Sequence, residues 1–154
     1  MLKSLDVDSA RLAFETALRD QRPDFETFFL ARLLGLKFSY GDEACTIDFP
    51  VHDFMFNPQG TLHGGVISLV LDIGMGHLLR HTVGLPGATI EMKTQYFAPI
   101  HGPRAKCVAR FLHRAKSIYF LEAKMFAGDG TLAAAATSTW RVRPAAPREK
   151  SEAE

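Results

Sequence analysis

Cysteine is scarce in this sequence, and what little there is stands isolated. The 154 residues hold two, Cys45 and Cys107, in no C-x-x-C or Cys/His spacing. Neither a disulfide framework nor a thiolate metal centre is indicated. Each lies in an apolar, strand-like run, where a buried reduced thiol belongs. A charge surplus is also missing, with 18 basic against 17 acidic residues. Binders of duplex nucleic acid draw most of their affinity from phosphate contacts and carry a basic excess, so that partner is not expected. Long hydrophobic runs are absent too. The longest, Val66 to Ile73, is interrupted by Asp72 and is too short to span a bilayer. The first twenty residues contain no continuous apolar stretch and no small-residue cleavage site of the secretory kind. The expectation is a cytoplasmic protein with no membrane partner. Two hydrolase signatures are missing as well. No G-x-S-x-G occurs, which removes the usual serine elbow. The six histidines (52, 63, 77, 81, 101 and 113) show no zinc-ligand spacing, so no metal is expected. His77 and His81 are i and i+4 near a predicted helix end, where the helix dipole accounts for them.

What is present fits one domain around one moderate core, with 47% hydrophobic residues. Residues 6–20 show helical periodicity, with Leu12, Ala13, Phe14 and Leu18 on one side. After Pro23 the pattern resumes through Phe25, Phe28, Phe29, Leu33 and Leu34, and Gly35 is a stop signal. This predicts two short amphipathic helices. Residues 36–40 and 44–50 read as strands joined by a turn at Gly41-Asp42. A loop rich in Pro and Gly follows. Gly65 to about His81 is apolar almost all round, which in a soluble protein predicts a buried helix. Gly74 and Gly76 within it predict close approach of another backbone. Four strands then follow in sequence, at 88–97, 104–114, 117–127 and 131–143, separated by turn signals. Alternation is clear over Ala88 to Lys93, and Tyr119, Leu121, Ala123 and Met125 face away from Glu122 and Lys124. A helix apolar on all sides needs a sheet curling round it, so the prediction is an α+β fold. The chain divides into a helical extension (1–33), a main domain (34–143) and a polar tail from Pro144 (144–154) with the composition of a disordered segment.

Asp72 is the chemical anomaly. A carboxylate inside V-I-S-L-V-L-D-I-G-M is expensive to bury unless it is paired or functional, unless it occupies a solvent-facing strip of the helix. His63-Gly64-Gly65 stands where that helix should begin. Backbone N–H groups at a helix N-terminus are unpaired and partly positive, and glycine lets a carbonyl oxygen approach them. The same two glycines also suit a plain tight turn. From Gly64 to Asp72 is eight residues, about 12 Å along the axis and roughly 80° around it. One chain therefore cannot bring the Asp72 carboxylate to a carbonyl held by its own Gly64 N–H, whereas two antiparallel helices from two subunits can. Use of both groups on one bond requires a symmetric dimer. Asn57, in the loop entering the helix, can orient a water or simply close a turn.

The run N-P-Q-G-T-L-H-G-G-V-I-S-L-V-L-D, residues 57–72, resembles the motif of hotdog-fold thioesterases of the phenylacetate-degradation-related (PaaI-like) and human thioesterase-superfamily-member-two branch. There an Asn, a His-Gly six residues on and an Asp nine after the His mark the active site; Asn57, His63-Gly64 and Asp72 match. P-G-A-T-I-E-M-K-T-Q-Y-F-A-P-I resembles that family's third strand, and the resemblance spans about 34–143. It implies a hotdog fold, a curved antiparallel sheet wrapped around one long helix. It implies hydrolysis of an acyl-CoA thioester with a small aryl or short to medium-chain acyl group. Gly64 N–H would polarise the carbonyl, and Asp72 of the partner subunit would act as base or nucleophile. Asn57 would position the attacking group, His63 would support the loop, and Thr89 would sit where the family can carry a water-orienting hydroxyl. The related 4-hydroxybenzoyl-CoA branch can use Glu in the acidic role. No cofactor is implied beyond the coenzyme A of the substrate. A homodimer, or a dimer of dimers, is implied as the assembly. For the CoA half, Arg114, Lys116 and Ser117 lie at a strand junction, with Arg104, Lys106 and Arg110 nearby, although a solvated sheet edge has the same composition. Gly65 and Phe56 join the candidate substrate contacts; Phe54, Met55 and Phe56 suit an acyl pocket or the core. The alternatives are a hotdog dehydratase or hydratase, whose pattern of Pro-Gly near the turn is lacking here, and a non-catalytic acyl-CoA-binding module.

Overall fold

A computed structural model describes residues 4–142; the polar tail from residue 144 lies outside the described residues, as does Arg143. Helix α1 spans Val7–Asp20 and α2 spans Phe29–Leu33. Strands β1 (Lys37–Gly41) and β2 (Ala44–Pro50) form a hairpin. A 3-10 turn at Asp53–Met55 leads to the long helix α3, Gly64–Val83. Strands β3 (Gly87–Tyr96), β4 (Arg104–Arg114), β5 (Ile118–Ala127) and β6 (Leu132–Val142) complete the chain.

All six strands join one antiparallel sheet in the order β1-β2-β4-β5-β6-β3. The strands after the helix are thus not four successive neighbours. β3 crosses to the far edge and pairs with β6, while β2 takes the place beside β4. Helix α3 lies along this sheet in contact with β2 to β6. With a curved antiparallel sheet around one long helix, the molecule has the hotdog fold. By length and composition α3 could cross a bilayer, but here it is the core helix, burying Ile67, Val70, Leu71, Met75, Leu78 and Leu79. On the sheet, Tyr119, Leu121, Ala123 and Met125 all point into this core, as their alternation predicts. Glycine lets the helix sit close, though against side chains rather than backbone. A Cβ at Gly74 would lie 3.0 Å from Cys107 Sγ, and one at Gly76 would lie 2.9 Å from the Trp140 ring. At the C-terminus Gly84 adopts φ 77° and returns its N–H to Arg80 O, ending the helix.

Several local expectations are corrected. The hairpin turn falls at Asp42 and Glu43, both with positive φ (49° and 55°), one residue later than predicted. Two left-handed residues are what a two-residue hairpin twist demands. The second helix begins only at Phe29. Asp24 Oδ1 accepts from the N–H groups of Glu26 and Thr27, its Oδ2 accepts from the Thr27 hydroxyl, and Arg22 N donates to Thr27 O. Residues 22–28 are therefore a bonded turn. Helix α1 is capped by Asp6, whose side chain accepts from Ser9 N. Its apolar stripe, however, is left uncovered, with Leu12, Phe14 and Leu18 about half exposed or more. α1 packs chiefly on the short α2, which is too small to cover that stripe.

Candidate active site

One strip of α3 is not sealed against the sheet: Gly64, Gly65, Ser68, Leu69, Asp72 and Gly76 recur at helical spacing and none is fully buried. The helix is therefore not enclosed on every side, and Asp72 stands half-buried on its open strip. Beside that strip runs β3. The helix ascends from Gly64 to Asp72 as the strand descends from Tyr96 to Thr89, and polar contacts link them at three levels. Thr89 Oγ1 donates to Asp72 Oδ1 at 2.8 Å. Ser68 Oγ lies 3.4 Å from Thr94 Oγ1 and 2.6 Å from the Tyr96 hydroxyl. The Tyr96 hydroxyl in turn donates to Gly64 O at 2.9 Å.

Thr89 reaches the helix because β3 carries a bulge between Thr89 and Glu91, which leaves Ile90 without a partner on β6. The extra residue shifts the alternation by one. Thr89 then shares a face with Met92, Thr94 and Tyr96, and Ile90 turns outward, 55% exposed. An unbroken alternation would instead turn Ile90 inward and Thr89 outward. The Ser68, Thr94 and Tyr96 cluster had no signal in the sequence, since it depends on the crossover of β3 to this side of the helix.

At the helix start, His63 is the N-cap, and its Nδ1 accepts from Gly65 N at 2.9 Å. The Gly65 donor is thus already used. The Gly64 N–H has no acceptor among the described residues. Tyr96 packs so closely that a Cβ at Gly64 would sit 3.3 Å from its ring. Asn57 closes the preceding turn. Its Oδ1 accepts from Gln59 N and Thr61 N, and its Nδ2 donates to Thr61 Oγ1 at 2.9 Å. One Nδ2 hydrogen remains for a ligand.

Three of the predicted residues divide between two cavities. Asn57 and Gly64 line one of about 350 Å³ together with Ile67, Tyr96 and Ile100. Asp72 lines another of about 320 Å³, walled by Phe25, Phe28, His77 and Trp140. The contribution of Phe25 and Phe28 was not anticipated. Of the residues before Asn57, Met55 is core, while Phe54 and Phe56 border a further cavity with Leu5 and Asn57.

The candidate CoA contacts are at the turn between β4 and β5. Arg114 pairs with Glu43 Oε1 at 2.9 Å and lies over the Phe111 ring at 4.1 Å. Arg110 donates to Asp42 O, and Lys106 stands 3.9 Å from Asp48. Lys116 is exposed and has no ion pair among the described residues, and Ser117 accepts from Val142 N through its carbonyl. His77 and His81 are held by aromatic stacking rather than by the helix dipole alone, on Phe38 and Tyr40 respectively, each at 4.1 Å. Cys45 and Cys107 are free and buried. No group of three or more His, Cys, Asp or Glu suited to a metal occurs among the described residues.

Comparison with known proteins agrees with this architecture. Residues 59–134 match the family model described as thioesterase superfamily. A presumed esterase of Pseudomonas aeruginosa is 27% identical over 139 residues, covering 83% of this chain and 95% of that protein. A Bacillus halodurans protein solved with CoA superposes with a TM-score of 0.78 at 24% identity, over 92% of this chain and 93% of its own. The Escherichia coli PaaI protein, from the phenylacetic acid degradation operon, superposes with a TM-score of 0.73 at 14% identity, over 86% of this chain and 96% of its own.

Proposed function

We propose, from the match of residues 59–134 to the thioesterase superfamily, that the chain hydrolyses acyl-CoA thioesters at sites shared between two subunits. One observation carries the shared site. Asp72 and the free Gly64 N–H occupy separate cavities of one chain, about 12 Å apart along α3. The open strip of α3 and the unpaired edge of β3, with Ile90, Tyr96 and Phe97 exposed, supply the surface on which a second copy would bring its Asp72 to this Gly64.

In such a pair the thioester carbonyl oxygen accepts from Gly64 N–H, where the helix N-terminus adds partial positive charge. Asp72 of the other chain assists attack at the carbonyl carbon, either taking a proton from water or attacking directly. In the first case the hydroxide equivalent adds to the carbonyl and the C–S bond breaks. The thiolate takes up the proton as free CoA, and the acyl group leaves as the acid. In the second the Asp72 oxygen displaces the thiolate to give a mixed anhydride, which water then cleaves to the acid and the restored carboxylate. Thr89 fixes one oxygen of Asp72 and leaves the other for the reaction. Asn57 offers its remaining amide hydrogen beside Gly64. The CoA half is supported by the Bacillus halodurans protein solved with CoA and by the exposed Lys116 and the Arg114 guanidinium at the strand junction.

The test is thiol release from a panel of acyl-CoA esters. Free CoA together with the acid supports hydrolysis. An enoyl product without thiol means a dehydratase, and saturable binding without turnover means a binding module.

A further inference from the structure

We propose that the turn carrying Phe25 and Phe28 forms the outer wall of the acyl pocket, and that Phe25 sets the size of acyl group accepted; this rests on the thioesterase reading above. The cavity that contains Asp72 is bounded by Gly76 and His77 of α3, by Trp140 of β6 and by Phe25 and Phe28. It runs down the helix from Asp72 to His77, about 7.5 Å along the axis. Asp72 stands at one end, and Phe25, Phe28, His77 and Trp140 give most of the remaining wall its aromatic character beside Ile73. Asp24, the second carboxylate of the lining, has its oxygens engaged by Glu26 and Thr27. The arrangement suits an apolar acyl group beside a reacting carbonyl. Gly76 leaves the Trp140 ring lying directly on the helix, a flat surface with no side chain in the way.

The wall is held in place before any ligand arrives. Asp24 bonds Glu26 and Thr27, and the Thr27 hydroxyl holds the Asp24 carboxyl below the usual carboxylate range. A ring nitrogen of His77 bonds the Phe25 carbonyl while Phe38 stacks on the imidazole. The Arg80 guanidinium lies 5.3 Å from the Phe25 ring centre. Phe28 is packed against the core, whereas the Phe25 ring is 43% exposed, so Phe25 can be exchanged without dismantling the fold. A single aromatic ring or a short chain fills the space from Asp72 to Phe25, and a longer chain meets the Phe25 ring. His77 is a positioning residue that holds this wall.

The experiment compares kcat/KM of the full chain over straight-chain and aryl acyl-CoAs of graded size, reading thiol release. Phe25→Ala should raise the ratio of longer to shorter substrates by about tenfold, the scale of one or two methylenes in an apolar pocket, and Phe25→Trp should shift it the opposite way. His77→Gln should weaken the size preference chiefly through KM. If both Phe25 variants keep the wild-type size profile while Asp72→Ala loses turnover, the wall assignment is wrong and the hydrolase stands. If Asp72→Ala turns over normally, or the wild type releases no thiol from any ester, the underlying reading falls and the wall assignment with it.

Discussion

Thr89 donates its hydroxyl to Asp72 Oδ1 at 2.8 Å, across the gap between the edge strand β3 and the open strip of α3. The bond ties the one carboxylate of the apolar helix to a residue that only a β-bulge brings round to face it. The carboxylate is thereby held in one orientation, at the rim of an aromatic cavity and away from the Gly64 N–H of its own chain.

Replacing Asp72 by Asn keeps the size of the side chain and removes the base or nucleophile. Thiol release should fall by about 10²-fold or more in kcat. Circular dichroism and the oligomeric state should match the wild type.

Thr89→Val preserves the β-branched shape that suits β3 and removes the hydroxyl. The loss should appear in kcat, about tenfold, with little change in KM. Thr89→Ser should restore most of the rate. A full rate in Thr89→Val with a loss in Thr89→Ser would mean that shape, rather than the hydrogen bond to Asp72, is what matters.

His63→Ala removes the acceptor that satisfies Gly65 N–H at the start of α3. Urea unfolding should show a loss of ~1 kcal/mol, the usual magnitude for an N-cap, with an unchanged m-value.

Burial pushes the Cys45 thiol from 9.0 up to about 12 and raises Cys107 in the same direction. It also raises the Tyr40 phenol, aided by the nearby Cys45 and Glu26. In the folded chain these groups keep protons that the unfolded chain releases. Their contribution to stability should therefore be constant below about pH 9 and decline as pH climbs from there towards 12. A thiol reagent at pH 8 should find neither cysteine in the native protein and both in urea.

The sequence disclosed the elements better than their arrangement. Asp72 stood out because a charge in an apolar helix is costly to bury, and Gly35 and the hairpin were marked by their own turn chemistry. The place of β3 was not legible, because its partner β6 lies some forty residues further on and strand composition carries no address. The bulge at Ile90 was not legible either: it reverses the faces that an unbroken ladder would give Thr89 and Ile90. The role of Phe25 was hidden for a similar reason: its helical spacing with Phe28 and Phe29 was real, but Asp24 diverted the backbone into a turn.

The shared site is tested most directly by mixing two inactive variants. Gly64→Pro removes the proposed carbonyl donor at a helix position that tolerates proline, and the preceding His63 already has the extended backbone that proline requires (φ −61°, ψ 133°). Asp72→Ala removes the acid. Unfolded together in equal amounts and refolded, the two should form hybrids in which one site of two joins an intact Gly64 to an intact Asp72, restoring about a quarter of wild-type thiol release if dimers form at random. Each variant refolded alone should stay inactive. No recovery in a mixture shown to contain hybrid dimers would mean that both groups act within one chain, and would contradict the account.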